Sequence, residues 1–196
     1  MYIKLKITEN TLQVLSLFTN DFSRDYYIRE VQKLLNISPR TAQLILEDLE
    51  DKGIIESKLR GKVRNYRIKV SDFTKRYFVF VEQYKSIVFL EKNLIIKEII
   101  EKITPHIKGI GIIFGSYAKG LEQEGSDLDI FVVGSCNREE IKKISNLFGI
   151  EVSVKCYLLD IFEKNINKDT LIKEIFKNHL IFINAEQFIQ KAFKNG

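Results

Sequence analysis

Two short segments in the C-terminal half carry the residues best suited to chemistry. Gly115-Ser116 follows the apolar run Ile112-Ile113-Phe114, and Asp127-Leu128-Asp129 begins another apolar run. A glycine lets the backbone approach a phosphate closely, and a serine hydroxyl with N–H groups at a helix start suits an anion. Aspartates two residues apart on a strand point to one face, where their oxygens favour Mg²⁺. A phosphate cradle facing a magnesium-binding pair predicts phosphoryl or nucleotidyl transfer.

The spacing of these segments resembles the minimal branch of the nucleotidyltransferase superfamily of DNA polymerase β type. That family's pattern is Gly-Ser, ten residues, then Asp-x-Asp, and Gly115-Ser116 with Asp127-Leu128-Asp129 matches it. The resemblance implies that Gly115 and Ser116 hold the β- and γ-phosphates of an NTP, with ATP expected. It also implies that Asp127 and Asp129 are catalytic and coordinate Mg²⁺ in a two-metal site, where an acceptor hydroxyl attacks the α-phosphate.

Three further residues near this motif are candidates with competing interpretations. Lys119 stands where relatives often carry arginine, so it either binds phosphate or is an ordinary solvated lysine. Ser126 is a candidate for nucleotide binding, although it also suits a cap of the turn before the strand. The family usually takes a third carboxylate from the next strand, where Ser153 aligns here. Glu151 would face the same side as Ser153 and is the candidate third catalytic acid, unless it is a strand-edge glutamate without a role.

The elements that must position this motif follow from hydrophobic periodicity and flanking signals. Apolar runs predict short buried strands over 110–114, 128–133 and 150–158, with a short helix or turn over 116–121. Asn137-Arg138-Glu139-Glu140 resembles a capping box and predicts a helix to Leu147. The tail, 160–193, predicts short helices around an apolar segment. The C-terminal part is therefore expected to have a nucleotidyltransferase fold, a small mixed sheet flanked by helices.

The N-terminal third has a different pattern. It predicts helices over 8–20, 29–35 and 38–52, the last with Ser38 as N-cap, Pro39 at its first position and Gly53 after its end. A hairpin over 54–70, turning at 60–62, follows. The order resembles winged helix-turn-helix regulators, which implies binding to double-stranded DNA. The residues expected to face inward are Val31, Leu34, Leu35, Ala42, Leu46 and Leu49.

By that resemblance the third helix would enter the major groove, and the hairpin, or wing, would meet phosphates or a minor groove. The groove-facing residues would be Arg40, Thr41, Gln43 and Leu44, and the wing residues would be Lys58, Arg60, Lys62 and Arg64. Residues 56–69 hold six basic side chains against one acidic one, a charge equal to the net +5 of the whole chain. Because the third helix ends in acidic residues, a winged helix used for protein contacts is the alternative.

The fold class expected is a two-domain protein that combines α+β and α/β parts. A winged helix-turn-helix domain over 1–70 and a minimal nucleotidyltransferase domain over 108–196 are joined by a helical linker over 71–107. An aromatic and aliphatic stripe lies within this linker and is formed by Phe73, Tyr77, Phe80, Val81, Tyr84 and Val88. The stripe is packed core, the seam between domains, or the interface of a homodimer.

Composition excludes several other classes of protein. Of 196 residues, 45% are hydrophobic and 29% are charged, which excludes a disordered tail. No apolar run approaches the ~18 residues of a membrane span, and Met1–Lys4 lacks an apolar signal-peptide segment. Cys136 and Cys156 are far apart in sequence without a CxxC pair, so neither a zinc site nor a disulfide framework is expected. We expect a reduced, cytoplasmic protein with no membrane partner.

Two functions follow from these patterns. The first is a DNA-binding regulator with a Mg²⁺-dependent nucleotidyltransferase domain, which transfers NMP, with AMP expected, from NTP to an acceptor. Antitoxin-like relatives that modify a partner protein make a protein acceptor one interpretation. The second is a transcription regulator whose nucleotidyltransferase domain binds nucleotide without turnover. The serine at the position of the third acid motivates this second function.

Overall fold

The computed structural model describes residues 7–193. The chain divides into two compact units, of which the first ends at Val81 and the second begins at Glu82. Met1–Lys4, where no signal-peptide segment is expected, lies outside the described residues. Within 7–193, none of the helices is both long and apolar enough to cross a membrane.

The first unit contains three helices and a hairpin, with a short strand after the first helix. Its elements are α1 (Glu9–Asn20), β1 (Tyr26–Tyr27), α2 (Ile28–Leu35), α3 (Pro39–Asp51), β2 (Ile55–Arg60) and β3 (Val63–Ile68). The strands form an antiparallel sheet in the order β1-β3-β2. The hydrophobic pattern did not predict β1, because two residues carry no periodicity and Tyr26 pairs with the distant Tyr66.

The helices of the first unit begin and pack largely as their sequences predict. Ser38 caps α3, since its Oγ accepts a hydrogen bond from the Thr41 N–H at 3.0 Å. The three residues of α3 expected to face inward are fully buried, and so is Val31 of α2. Leu34 was expected to be buried but is 53% exposed. A helix of two turns presents a narrow face to the core, and Leu35, one turn after Val31, continues that face instead.

One long helix, α4 (Asp72–Lys92), runs past the boundary between the units. Within the first unit, Tyr77 and Val81 are buried, as a core interpretation of the stripe predicts. Phe73 and Phe80 are 51% and 47% exposed. The stripe therefore combines buried positions with an exposed aromatic pair.

The second unit is built on a four-stranded mixed sheet. Its elements are α5 (Leu94–Ile103), a 3₁₀ turn (Thr104–His106), β4 (Ile107–Phe114), α6 (Gly115–Lys119), β5 (Leu128–Cys136), α7 (Arg138–Phe148), β6 (Val152–Tyr157), α8 (Leu159–Asn165), α9 (Thr170–Lys177), β7 (Leu180–Ile183) and α10 (Ala185–Ala192). The strand order is β6-β5-β4-β7, with β5 and β6 parallel and the other pairs antiparallel. The predicted mixed sheet is confirmed, and the apolar segment of the tail adds β7 at its edge. Ile99, Ile113, Ile130 and Val132 belong to the core beneath it.

The two cysteines, distant in sequence, lie on neighbouring strands of this sheet. Cys136 ends β5, and Cys156 on β6 donates a hydrogen bond from Sγ to the Gly134 carbonyl at 3.4 Å. Burial and the neighbouring Cys156 thiol raise the pKa of the Cys136 thiol. Both are free thiols.

Candidate active site

The sheet of the second unit brings Gly115 against Asp129. Phe114, the last residue of β4, lies opposite Asp129 on β5, so α6 begins beside the Asp129 side chain. An ideal Cβ placed on Gly115 would lie 2.2 Å from Asp129 Oδ2. Gly115 also has a φ of +72°, in the left-handed region that side chains disfavour. Both the backbone and the close approach require glycine at this position.

Asp127 and Asp129 form an acidic pair at the start of β5. Asp127 is exposed and directly precedes the strand, while Asp129 is half-buried within it. Burial and the charge of Asp127 raise the pKa of the Asp129 carboxyl, and Lys155 opposes this shift. Two carboxylates two residues apart, one of them half-buried, favour a bound cation.

The donor chemistry of this pair fits Mg²⁺. Among residues 7–193, no group of three or more His, Cys, Asp or Glu side chains could hold a metal ion by itself. Mg²⁺ in nucleotide enzymes is commonly held by one or two carboxylates, with phosphate oxygens and water completing its ligands. Asp127 and Asp129 therefore suit a cation that shares its ligands with a nucleotide.

Two serines flank the acidic pair and differ in their hydrogen bonds. Ser116 is the second residue of α6, and its hydroxyl makes no hydrogen bond within 7–193. Ser126 Oγ accepts a hydrogen bond from the Gln123 N–H at 2.9 Å, and the Ser126 N–H donates to the Gln123 carbonyl. Ser126 thus holds the turn before β5, whereas the Ser116 hydroxyl is available to a phosphate.

Lys119 ends α6 and is held by a residue that the sequence did not indicate. Its Nζ lies 2.5 Å from Glu174 Oε1 on α9. The negative charge of Glu174 raises the pKa of Asp129, and the positive charge of Lys119 lowers it. The Lys119–Glu174 pair therefore belongs to the electrostatic surroundings of the acidic pair. No local pattern could reveal it, because the two residues are 55 positions apart.

Ser153, which aligns with the family's third acid, and Glu151, the candidate for that role, occupy different positions. Ser153 lies beside Asp129 in the parallel pairing of β5 with β6. Glu151 precedes β6 and is exposed, and its carbonyl accepts a hydrogen bond from the Leu128 N–H at 2.8 Å. Glu151 also lines a cavity of about 680 Å³ formed with residues of α7. Gly115, Ser116 and the acidic pair do not line this cavity.

The α3 residues predicted to face a major groove differ in exposure. Arg40 and Leu44 are exposed, while Thr41 and Gln43 are partly buried. Gln43 is engaged along the helix, where its Oε1 accepts a hydrogen bond from Arg40 Nη1 at 3.3 Å. Arg40 and Leu44 are therefore the most accessible of the four.

The basic residues of the β2–β3 hairpin separate into paired and unpaired cations. Arg60 lies 2.8 Å from Asp25, and Arg64 lies 2.7 Å from Glu50 at the acidic end of α3. Lys58 makes no ion pair in the part of the chain that is described. Arg60 and Arg64 are therefore each paired with one acidic residue, whereas Lys58 and Lys62 make no ion pair within residues 7–193.

A basic cavity between α2 and the hairpin is lined in part by cations that the sequence did not indicate. Its volume is about 760 Å³, and its lining includes Arg29, Lys33, Lys62 and Arg64. Arg29 and Lys33 are on α2, and the sequence did not indicate them because they lie outside both the hairpin and the third helix. Tyr27 lines the same cavity.

Comparisons with known proteins give one family match and several structural matches. Residues 93–183 match the family model described as a nucleotidyltransferase domain, a stretch that begins one residue before α5 and ends with β7. The chain is similar to AF1382 from Archaeoglobus fulgidus, at 25% identity over 46% of this chain and 97% of that one, with a TM-score of 0.36. T. acidophilum IdeR matches at 12% identity over 76% and 58% of the two chains, with a TM-score of 0.35. TrmBL2, an archaeal chromatin protein, matches at 15% identity over 87% and 70%, with a TM-score of 0.30. No match is found among curated proteins.

Proposed function

We propose that the protein transfers a nucleoside monophosphate from an NTP to an acceptor, with ATP as the expected donor. The observation that carries this proposal is the contact between Gly115 and the Asp129 carboxylate, with Asp127 two residues before it. It places a glycine that can approach phosphate next to an acidic pair that can hold a cation. The nucleotidyltransferase family match over residues 93–183 supports transfer of NMP as the general reaction.

Asp127 and Asp129 are the proposed ligands of Mg²⁺. The bound ion would neutralise phosphate charge and stabilise the attacking and leaving oxygens of an in-line displacement. The carboxylates must be ionised for this role, so the raised pKa of Asp129 makes nucleotide binding weaken toward acid pH. The two-metal arrangement implied by the family resemblance remains part of the proposal.

The residues of α6 are proposed to hold the triphosphate. The backbone at Gly115 and the unengaged Ser116 hydroxyl would donate hydrogen bonds to the β- and γ-phosphates. Lys119 would add a cation once it leaves Glu174, from which it now lies 2.5 Å away. Ser126 would act indirectly, by fixing the turn that carries Asp127.

Label transfer tests the enzymatic proposal. Purified protein is incubated with Mg²⁺, α-labelled ATP and a lysate that supplies acceptors, and labelled products are separated. We expect label transfer from the wild type and none from the Asp127→Asn/Asp129→Asn variant. Glu151→Gln tests the candidate third acid, whose carbonyl is bonded to the Leu128 N–H between the two aspartates: reduced transfer supports a catalytic role for Glu151, and wild-type transfer refutes it. Equal labelling by the wild type and the double aspartate variant would refute the proposal.

We further propose that the first unit is a winged helix that binds double-stranded DNA. Its order of one helix, a short strand, two helices and a hairpin, with the sheet order β1-β3-β2, supports this. Arg40 and Leu44 on the exposed side of α3 would contact base edges, and an apolar Leu44 suits a thymine methyl. Thr41 and Gln43 would contribute through their partly exposed surfaces.

The hairpin and α2 would supply the phosphate contacts. Lys58 and Lys62 would contribute most, because they make no ion pairs within residues 7–193. Arg60 and Arg64 would have to exchange Asp25 and Glu50 for phosphate. The basic cavity beside the hairpin extends this surface with cations of α2.

The transcription regulator without turnover is the second candidate function. The observation in its favour is Ser153, which occupies the register position beside Asp129 where the family places its third acid. It predicts tight binding of a fluorescent ATP analogue with no label transfer under any acceptor condition. An antitoxin-like role predicts instead that the labelled acceptor is a protein.

A homodimer is proposed through the exposed aromatic pair of α4. Phe73 and Phe80 are seven residues apart, so they share one helix face, and a second copy would bury both. Sedimentation velocity tests this. A dimer that becomes a monomer in Phe80→Ser supports it, and a wild-type monomer at micromolar concentration refutes it.

A further inference from the structure

The basic cavity between α2 and the hairpin gathers positive charge that the protein does not neutralise. Arg29, Lys33 and Lys62 line it, and they make no ion pair within residues 7–193. Among the described residues, no aspartate or glutamate belongs to its lining. Lysine and arginine side chains donate hydrogen bonds and accept none, so these cations cannot satisfy one another. Three unpaired cations around one cavity of about 760 Å³ therefore favour a bound anion.

The acidic side chains nearest in sequence or space already have partners. Glu30, the residue after Arg29, lies 2.5 Å from Arg24. Arg64, the fourth cation of the lining, lies 2.7 Å from Glu50. These pairs leave Glu30 and Glu50 engaged with other arginines, so neither neutralises the three unpaired cations. The compensating negative charge must therefore come with a ligand.

The cavity also offers backbone and ring contacts. Its lining includes Tyr27 and Ile28, the residues at which α2 begins. Tyr27 makes no side-chain capping bond, so the N–H groups in the first turn of this eight-residue helix remain suited to an anion. The side chains of Tyr27 and Val63 are 40% and 45% exposed, and both line the cavity. An exposed aromatic ring beside cations suits a ligand that carries both a flat ring and negative charge.

We propose that this cavity binds a phosphorylated small molecule, an aromatic ring that carries two or more phosphate groups, such as a nucleoside polyphosphate. The phosphates lie among Arg29, Lys33 and Lys62, and the ring lies against Tyr27. Several cations match several phosphate charges, and a single phosphate group would leave part of them unpaired. The volume of the cavity falls within the range of about 300–1,000 Å³ that is typical of small-molecule sites.

A ligand in the cavity competes with DNA. The competition rests on the proposed winged-helix function, in which Lys62 and the cations of α2 contact DNA phosphates. These cations cannot serve two polyanions at once, so the bound small molecule weakens the affinity for duplex DNA. The ligand acts within the first unit, and no contact with the second unit is needed.

A metal-free titration separates this cavity from the acidic pair of the second unit. The double aspartate variant is titrated in EDTA with a fluorescent ATP analogue, so Mg²⁺-dependent binding at the acidic pair is absent. We expect saturable binding, which the further change Arg29→Gln/Lys33→Gln weakens at least about tenfold. The matched control is Lys92→Gln/Lys102→Gln, which removes two exposed cations of the second unit that make no ion pair in the described chain. This control is expected to bind the analogue unchanged.

Competing ligands and a ring variant test the proposed class of ligand. Inorganic tripolyphosphate should displace the analogue, and AMP should displace it more weakly than ATP. Tyr27→Leu should weaken the analogue about fivefold or more and leave the affinity for tripolyphosphate unchanged. Equal displacement by AMP and ATP, or wild-type affinity for the analogue in Tyr27→Leu, would contradict the proposed class.

A displacement assay with labelled duplex DNA completes the test. In EDTA the analogue should release the duplex from the double aspartate variant. The absence of saturable analogue binding, or equal binding by the α2 variant and its control, overturns the inference. An α2 variant that loses affinity for the duplex but not for the analogue assigns the cavity to the DNA backbone and overturns it as well.

The proposed functions fail by different results. A wild type without label transfer contradicts nucleotidyl transfer alone, and a wild type without affinity for duplex DNA contradicts the winged-helix function alone. In either case the metal-free titration still decides whether the cavity binds a nucleotide. Circular dichroism confirms that the variants fold, which is expected because Arg29, Lys33 and Tyr27 are exposed.

Discussion

Gly115→Ala is the perturbation that the geometry of the site constrains most tightly. The added methyl group would lie 2.2 Å from Asp129 Oδ2 and 3.0 Å from its Cγ. The backbone at this position has a φ of +72°. Gly120 is the matched control, because it has a φ of +63° at the end of the same helix and nothing within 4 Å of its added Cβ.

The two variants share the backbone penalty but not the collision. A left-handed φ with a side chain costs about 1–2 kcal/mol at either position. Overpacking adds about 1–3 kcal/mol at Gly115 if the Asp129 side chain stays in place. If Asp129 turns away instead, stability is spared, but the carboxylate leaves its place in the acidic pair. We therefore expect Gly115→Ala to lose about 1–3 kcal/mol more than Gly120→Ala, or to lose metal-dependent nucleotide binding, or both.

Urea unfolding and nucleotide titration measure these two effects. The midpoint and slope of unfolding are compared for the wild type and both variants in the absence of nucleotide. Binding of a fluorescent ATP analogue is then titrated with and without Mg²⁺. If Gly115→Ala equals Gly120→Ala in stability and also binds the analogue with Mg²⁺ like the wild type, the contact between glycine and carboxylate is not what positions the site.

Three other outcomes follow from the charges of the molecule. Burial and, as the second cause, the positive charge of Lys85 lower the pKa of His179 in the folded protein. As the pH falls below about 6.5, this histidine is therefore protonated in the unfolded chain before it is protonated in the folded protein, which favours unfolding. Unfolding in urea at pH 7.5 and 5.5 should therefore show the wild type losing about 1 kcal/mol more than His179→Gln. Asp129→Asn removes a half-buried charge whose pKa is raised, so the midpoint of unfolding should rise at pH 7.5 while nucleotide binding is lost. In Lys58→Gln/Lys62→Gln, the slope of log affinity for duplex DNA against log salt should become shallower by about 2, whereas Lys102→Gln should leave it unchanged.

Local sequence signals account for most of the elements that carry the site. The apolar runs around Gly115 and Asp127 are long enough to define buried strands, and their flanking residues define where β4 ends and β5 begins. Ser38 and Asn137 begin helices through side chains that bond to nearby backbone, as their sequences predict. Such signals act within a few residues, so they can be read without knowing the fold.

Pairings between distant segments were not predictable in this way. Nothing in its own neighbourhood marks Glu174 as a partner of Lys119, since β5, α7, β6 and α8 separate α6 from α9 along the chain. The ion pair of Arg64 with Glu50 likewise depends on the hairpin folding back along α3. At the acidic end of α3, Glu50 therefore has a partner on the hairpin and is not simply a charge that would repel phosphate. These contacts decide which charges are available to ligands.

The label position in the nucleotide tests the central claim most directly. Wild-type protein with Mg²⁺ and an acceptor-containing lysate is given ATP labelled at the α-phosphate in one reaction and at the γ-phosphate in another. Nucleotidyl transfer predicts label in the acceptor from the α-position alone, and none from either position in Asp127→Asn/Asp129→Asn. Label from the γ-position, or α-label that persists in the double variant, would contradict it.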